Sequence, residues 1–145
     1  MTKRVGEPVR RDISYRLRPG AYALLVRDGE VLLTYQDEPE PEFQLPGGGI
    51  DQGESTIPAL RREIQEETGW HVGPLRRIGA FRRFTFMPEY DIWAEKLCQV
   101  YFGRPTLRFG DPTEVGHQPV WAHPELAANM VTNPGDRMFI SRLLL

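Results

Sequence analysis

A chain of 145 residues with 40% hydrophobic and 26% charged side chains has the size and balance of one globular domain with its own core. Its formal net charge of -2 excludes a global pull toward nucleic acid or anionic membrane, so a polyanion site has to be local. The single cysteine, Cys98, excludes an internal disulfide and reads as a buried bystander thiol, and no run approaches the roughly 18 apolar residues of a membrane helix.

The opening "MTKRVGEPVRRDISYRLRPG" has no apolar h-region, which leads us to expect a cytoplasmic protein. Its excess of Lys and Arg over Glu7 and Asp12 marks residues 1–18 as a basic N-terminal arm, solvated or in contact with a phosphate ligand or partner, ahead of one domain that spans 1–145. "AYALLVRDGEVLLTY" reads as strands at 21–26 and 31–36 joined by a tight Asp28–Gly29 hairpin. Pro39 and Pro41 then enforce a loop, and Phe43–Leu45 form a short strand that enters a run of glycines. Ser55 is placed to cap a helix that tolerates Pro58 in its first turn and stops at Gly69. Strands follow near 74–86 and 92–102, then a short helix in "HPELAANM" and a packing helix in "NPGDRMFISRLLL". Strands flanked by helices on either side predict an α/β or α+β sandwich.

The helix between Ser55 and Gly69 violates local electrostatics. Glu63, Glu66 and Glu67 crowd its last turns, where like charges at i, i+3 and i, i+4 and the negative end of the helix dipole together cost about 1 to 2 kcal/mol. A solvated acidic face countered by Arg61 and Arg62 is one explanation. The preceding Gly47, Gly48 and Gly49 favour another, since a loop without side chains lets ligand and ion approach the backbone closely. Only hard oxygen donors are offered in this stretch, which suits Mg²⁺ or Mn²⁺ rather than Zn²⁺ and implies a di- or polyphosphate substrate to complete the coordination.

In register, Gly48, Glu54, Arg62, Glu63, Ile64, Glu66, Glu67, Gly69 and Trp70 fill the pattern G-x5-E-x7-R-E-U-x-E-E-x-G-U, where U is a bulky apolar residue. The segment thereby resembles the signature box of Nudix hydrolases, with Trp70 its one soft departure, at a position that bears on packing. The resemblance implies an α/β/α sandwich around a mixed β-sheet. It also implies cation ligation by Glu63, Glu66, Glu67 and the Gly47 carbonyl, a bracing role for Arg62 and support from Glu54. The implied reaction is water attack on the pyrophosphate linkage of a nucleoside diphosphate joined to another moiety.

The general base varies in such enzymes, and Glu114, a few residues before Trp121, competes here with Glu66 and with His117, whose side-chain type titrates near neutrality. For the substrate, Gly48 and Gly49 leave room for phosphate, and Arg82 and Arg83, with Arg76 and Arg77, offer forks for further phosphates or else guard a strand edge. Pro88 and Tyr90 do not separate an ADP-ribose from a dinucleoside polyphosphate preference. An RNA 5′ pyrophosphohydrolase and a non-catalytic nucleotide-binding regulator are the alternatives, although a regulator would usually have lost one of the box acids. Apart from an RNA 5′ end, no nucleic-acid partner is expected; homodimers are common in similar proteins.

Overall fold

Both central residues of the Asp28–Gly29 turn take positive φ, 52° and 78°, and Arg27 and Glu30 face each other across it. This two-residue geometry matches the twist of the strands that it joins. The structure is a computed structural model and describes residues 2–145.

In chain order the elements are β1 (Lys3–Val5), β2 (Arg16–Arg27), β3 (Glu30–Gln36), β4 (Glu42–Gln44), β5 (Gly47–Gly49), α1 (Thr56–Thr68) and β6 (Trp70–Val72). They continue through β7 (Arg76–Met87), β8 (Ile92–Gly103), β9 (Pro105–Arg108), β10 (His117–Ala122), α2 (Pro124–Met130) and α3 (Pro134–Ser141), with a closing 3-10 turn at Arg142–Leu144. The main sheet runs β1-β7-β8-β2-β3-β10, with β4 beside β3 and β5 beside β2, while β6 and β9 pair separately. It is mixed, because β1–β7 and β2–β8 are parallel and the other pairs are antiparallel.

Strand alternation sorts β2 onto two cores. Ala21, Ala23 and Leu25 pack with Leu60 and Ile64 of α1, whereas Tyr22, Leu24 and Val26 turn to the opposite face with Phe81, Val100, Phe139 and Ile140. Helix α1 therefore covers one face, α2 and α3 cover the other, and the α/β/α sandwich is the observed architecture.

Ser55 occupies the N-cap of α1 with extended geometry, yet its side chain makes no capping bond. Asn133 does cap α3, accepting from the Gly135 N–H at 2.9 Å. At the other end of α1, Gly69 has φ 77° and donates to the Gln65 carbonyl at 2.8 Å, the left-handed stop that its sequence position predicts.

Several expectations change. Part of the basic N-terminal arm is strand: Lys3–Val5 pairs in parallel with Phe81–Arg83, and Arg16 to Arg18 already belong to β2. Val5 anchors this edge by entering the core. The segment after the strand expected near 92–102 contains β10, which pairs with Val31 to Gln36 of β3, so His117 lies on a strand. The glycine run itself forms β5 against Gly20–Tyr22. Burial raises the Cys98 thiol to about 12, leaving it inert and in keeping with a bystander. Among the described residues no helix is long and apolar enough to cross a membrane.

Candidate functional site

Burying Leu60 and Ile64 fixes the rotation of α1 and so directs Glu63 and Glu67 toward β5. Glu67 is 3% exposed and accepts the Gly47 N–H at 3.0 Å. Gly47 has φ 144°, and a Cβ there would overlap the Ala21 carbonyl, so only glycine brings this backbone alongside the acid. At Gly48 the place of a side chain is taken by Glu63, whose carboxyl carbon would stand 3.3 Å from a Cβ. The first two glycines are thus a cradle for two carboxylates.

Glu114 arrives from the chain segment before β10. Its N–H and that of Thr113 both donate to the Glu66 carbonyl at 2.9 Å, which uses free acceptors at the end of α1 to seat the loop. Gly69 extends the clamp, its carbonyl accepting from Phe109 at 2.6 Å and from Gly110 at 3.3 Å. Donor atoms of Glu63, Glu66 and Glu114 lie within 4.8 Å of one another, as do those of Glu67, Glu114 and His117. Glu114 is common to both groups. His117 is held by Thr34, its Nδ1 3.0 Å from Oγ1, with its Nε2 3.9 Å from Glu114.

Arg62 braces the acids as the sequence predicts, reaching Glu54 at 3.0 Å, Glu66 at 3.3 Å and Glu63 at 3.4 Å. Glu54 also accepts the Asp51 N–H at 3.2 Å, and this bond together with Arg62 lowers its pKa. Deeper in, the trend reverses. Burial is the main cause that raises Glu63 and raises Glu67 well above the usual carboxylate range, and the Glu114 charge pushes both the same way. Arg62 counters this at Glu63, while the Gly47 N–H counters it at Glu67.

The donor set fits a divalent cation. Four carboxylates from two chain segments converge on one space, and the burial that disfavours the charges of Glu63 and Glu67 is what a cation would offset. His117 is the member that sequence reasoning considered only as a base; its i, i+3 spacing from Glu114 at the start of a strand was the available signal.

Arg82 and Arg83 are not brought together. As neighbours on β7 they point to opposite faces, Arg82 to Glu95 at 2.8 Å and Arg83 toward Glu7 at 3.6 Å. Each is engaged by an acid on its own face of the sheet. Arg77 bonds Gln99 at 3.3 Å on the α1 side.

Known proteins share both the sequence and the shape. Over 74 residues the chain is 34% identical to a Bacillus subtilis protein provisionally named an 8-oxo-dGTP diphosphatase, covering 51% of this chain and 50% of that one. It is 40% identical over 89 residues to an RNA pyrophosphohydrolase of Sphingopyxis alaskensis, covering 60% of this chain and 54% of the other. The chain thus spans about half the length of the curated relatives it matches. A NUDIX hydrolase from Nitrosomonas europaea superposes with a TM-score of 0.72 at 20% identity, over 89% of each chain. A MutT NUDIX hydrolase from Burkholderia pseudomallei gives 0.69 at 21%, over 88% of this chain and 98% of that one. These two likenesses carry the fold alone, but the NUDIX domain family model matches residues 16–143, a span that holds the glycine cradle, the acid helix and Glu114, and this chain accordingly belongs to the NUDIX family.

Proposed function

We propose that this protein is a divalent-metal-dependent pyrophosphohydrolase, acting on a nucleoside diphosphate linked to a further moiety. The convergence of Glu63, Glu66, Glu67 and Glu114 beside a side-chain-free backbone carries this reading. Glu63, Glu66 and Glu67, with the Gly47 carbonyl, would hold Mg²⁺ or Mn²⁺, since hard oxygens suit these ions. Bound there, such an ion neutralises phosphoryl charge and helps to ionise water.

The chain's own residues supply the remainder. Gly48 and Gly49 leave the backbone open to the substrate's phosphoryl oxygens. Arg62 holds Glu63 and Glu66 in place, and Glu54 fixes Arg62. Glu114 acts as the general base: Arg62 engages Glu66, whereas among the described residues Glu114 has only the distant His117 as an ion-pair partner. Its carboxylate takes a proton from the attacking water, the water oxygen bonds to phosphorus, and the bridging P–O bond breaks with its electron pair leaving on the departing phosphate.

The test is a panel of ADP-ribose, dinucleoside polyphosphates, nucleotide sugars, 8-oxo-dGTP and a 5′-triphosphorylated RNA, each incubated with Mg²⁺ and with Mn²⁺. We expect mononucleotide or pyrophosphate release from at least one, whereas an inert panel at high enzyme concentration would falsify the enzymatic reading. A second reading, removal of pyrophosphate from an RNA 5′ end, is favoured by the name of the Sphingopyxis relative, and the RNA arm of the panel decides it.

A further inference from the structure

Arg27 and Glu30 stand directly opposite each other where β2 and β3 leave the Asp28–Gly29 turn. Arg27 is two residues beyond Leu25 and Glu30 two before Leu32, so both belong to the face that α1 covers. Opposite charges so placed ordinarily attract each other across the strands. Here they do not meet. Arg27 is drawn aside: its Nη1 donates to the Pro105 and Thr106 carbonyls of β9 at 3.1 and 2.9 Å, and its guanidinium lies over the Trp70 ring at 5.3 Å. Among the described residues its one ion-pair contact is Asp28, 3.7 Å from Nε, and Glu30 has none. The Nε–Nη2 edge of the fork and the Glu30 carboxylate are left without hydrogen bonds among those residues.

A cavity of about 230 Å³ opens there, lined by Arg27, Asp28, Glu30, Trp70 and Trp121. The two indoles meet edge to face, with ring centroids 5.5 Å apart. Trp70 is the residue that departs from the box pattern, and the acids make no use of it. The cavity is apart from those acids: Arg27 lies five residues along β2 from Tyr22, the partner of Gly47, or roughly 17 Å at 3.3 Å per residue.

The lining selects a ligand. A cation is disfavoured because the held guanidinium already covers Trp70, and an oxyanion is disfavoured by Asp28 and Glu30. A flat neutral ring remains, with acceptors on one edge and donors on the next. At about 230 Å³ the space suits one heterocycle, since larger ligands occupy roughly 300 to 1,000 Å³. Guanine has this pattern: O6 and N7 accept from an arginine fork, and N1–H and the N2 amino group donate to a carboxylate. Adenine lacks the paired donors, and pyrimidines lack N7.

We propose that this cavity binds a guanine base, with the Nε–Nη2 edge of Arg27 on O6 and N7, and Glu30 on N1–H and the N2 amino group. The ring lies against Trp121, the indole that Arg27 leaves uncovered. A free guanine nucleoside or nucleotide and the guanosine of an oligonucleotide bring the same base.

Guanosine, inosine and adenosine are titrated into the full chain in chelator, with binding read by calorimetry and by quenching of tryptophan fluorescence. Guanosine has no pyrophosphate to cleave, so the outcome is independent of the hydrolase reading. We expect guanosine to bind at least tenfold more tightly than adenosine, with inosine, which lacks the N2 amino group, between them. Glu30→Gln should weaken guanosine about tenfold and bring it level with inosine. Arg27→Lys, which keeps the charge without the fork, should weaken it at least as much. Glu114→Gln, at the acids, should change it less than twofold. No guanosine binding at millimolar concentration, no preference over adenosine, unchanged binding in Glu30→Gln, or an equal loss in Glu114→Gln would each overturn the site. Melting curves accompany every variant; if Arg27→Lys releases β9 and unfolds the chain, Glu30→Gln, at the hairpin turn, carries the test. GMP and the dinucleotide ApG identify the source: ApG binding as tightly as guanosine admits the guanosine of an oligonucleotide, whereas binding of GMP without ApG assigns a free nucleotide.

Discussion

At Glu67 the cost of the site is concentrated in one side chain. Its carboxyl is buried, its pKa is raised chiefly by that burial, and Glu63 and Glu114 add repulsion, leaving the Gly47 N–H as its stabilising contact. Glutamine preserves an acceptor for that N–H while removing the charge. Glu67→Gln is therefore expected to lower turnover at least a hundredfold yet leave the chelator-treated protein at pH 8 as stable as the parent or about 1 kcal/mol more so. Kinetics and urea denaturation in chelator check the two halves, and a sharp loss of stability would assign Glu67 a structural role instead. Asp136 gives a pH prediction away from the acids of α1. Burial raises its carboxyl from 3.8 to about 7, so between those values the folded chain keeps a proton that the unfolded chain has released. Its contribution to stability is full below the unfolded value and is lost as pH rises through about 7. Asp136→Asn removes that loss, and relative to the parent it should gain about 1 to 3 kcal/mol on going from pH 5 to pH 8. Parallel denaturation profiles at the two pH values would count against it.

Among the elements, the end of α1 and the segment before β10 form one mechanical unit through Gly69, whose φ of 77° and contact with the Gly110 carbonyl leave no space for a side chain. Gly69→Ala should cost about 2 to 3 kcal/mol and reduce turnover beyond what the lost stability explains, because the same contacts place Glu114. Thermal melts and kcat at a temperature where the variant remains folded measure both; unchanged turnover would mean that Glu114 keeps its place without this joint. Helix α1, its acids and the Gly69 stop were legible in sequence because each rests on interactions a few residues apart: apolar spacing at Leu60 and Ile64, a left-handed stop, a turn at Asp28–Gly29. β10 was not, since its partner β3 lies some eighty residues earlier and its own run is broken by Pro119. Nor was the separation of Arg82 from Arg83 drawn from the strand period.

For the whole molecule, the donor groups come from α1, from the segment before β10 and from β10 itself, while β5 backs α1 and β3 holds His117 through Thr34. A cation bound by these groups therefore ties one edge of the sheet to the helix above it, and unfolding any of the parts releases the ion. Binding to the folded state alone stabilises by RT ln(1 + [L]/Kd), about 2.7 kcal/mol at a hundredfold excess over Kd. The expected result is one cooperative thermal transition that moves upward with Mg²⁺ or Mn²⁺ concentration, returns on chelation and loses most of its metal dependence in Glu67→Gln. Scanning calorimetry with and without metal makes the measurement. A midpoint that ignores millimolar cation would show that these carboxylates do not hold it in the folded resting state. A separate low-temperature transition that alone responds to metal would confine the coupling to α1 and its loop, leaving the sheet outside it.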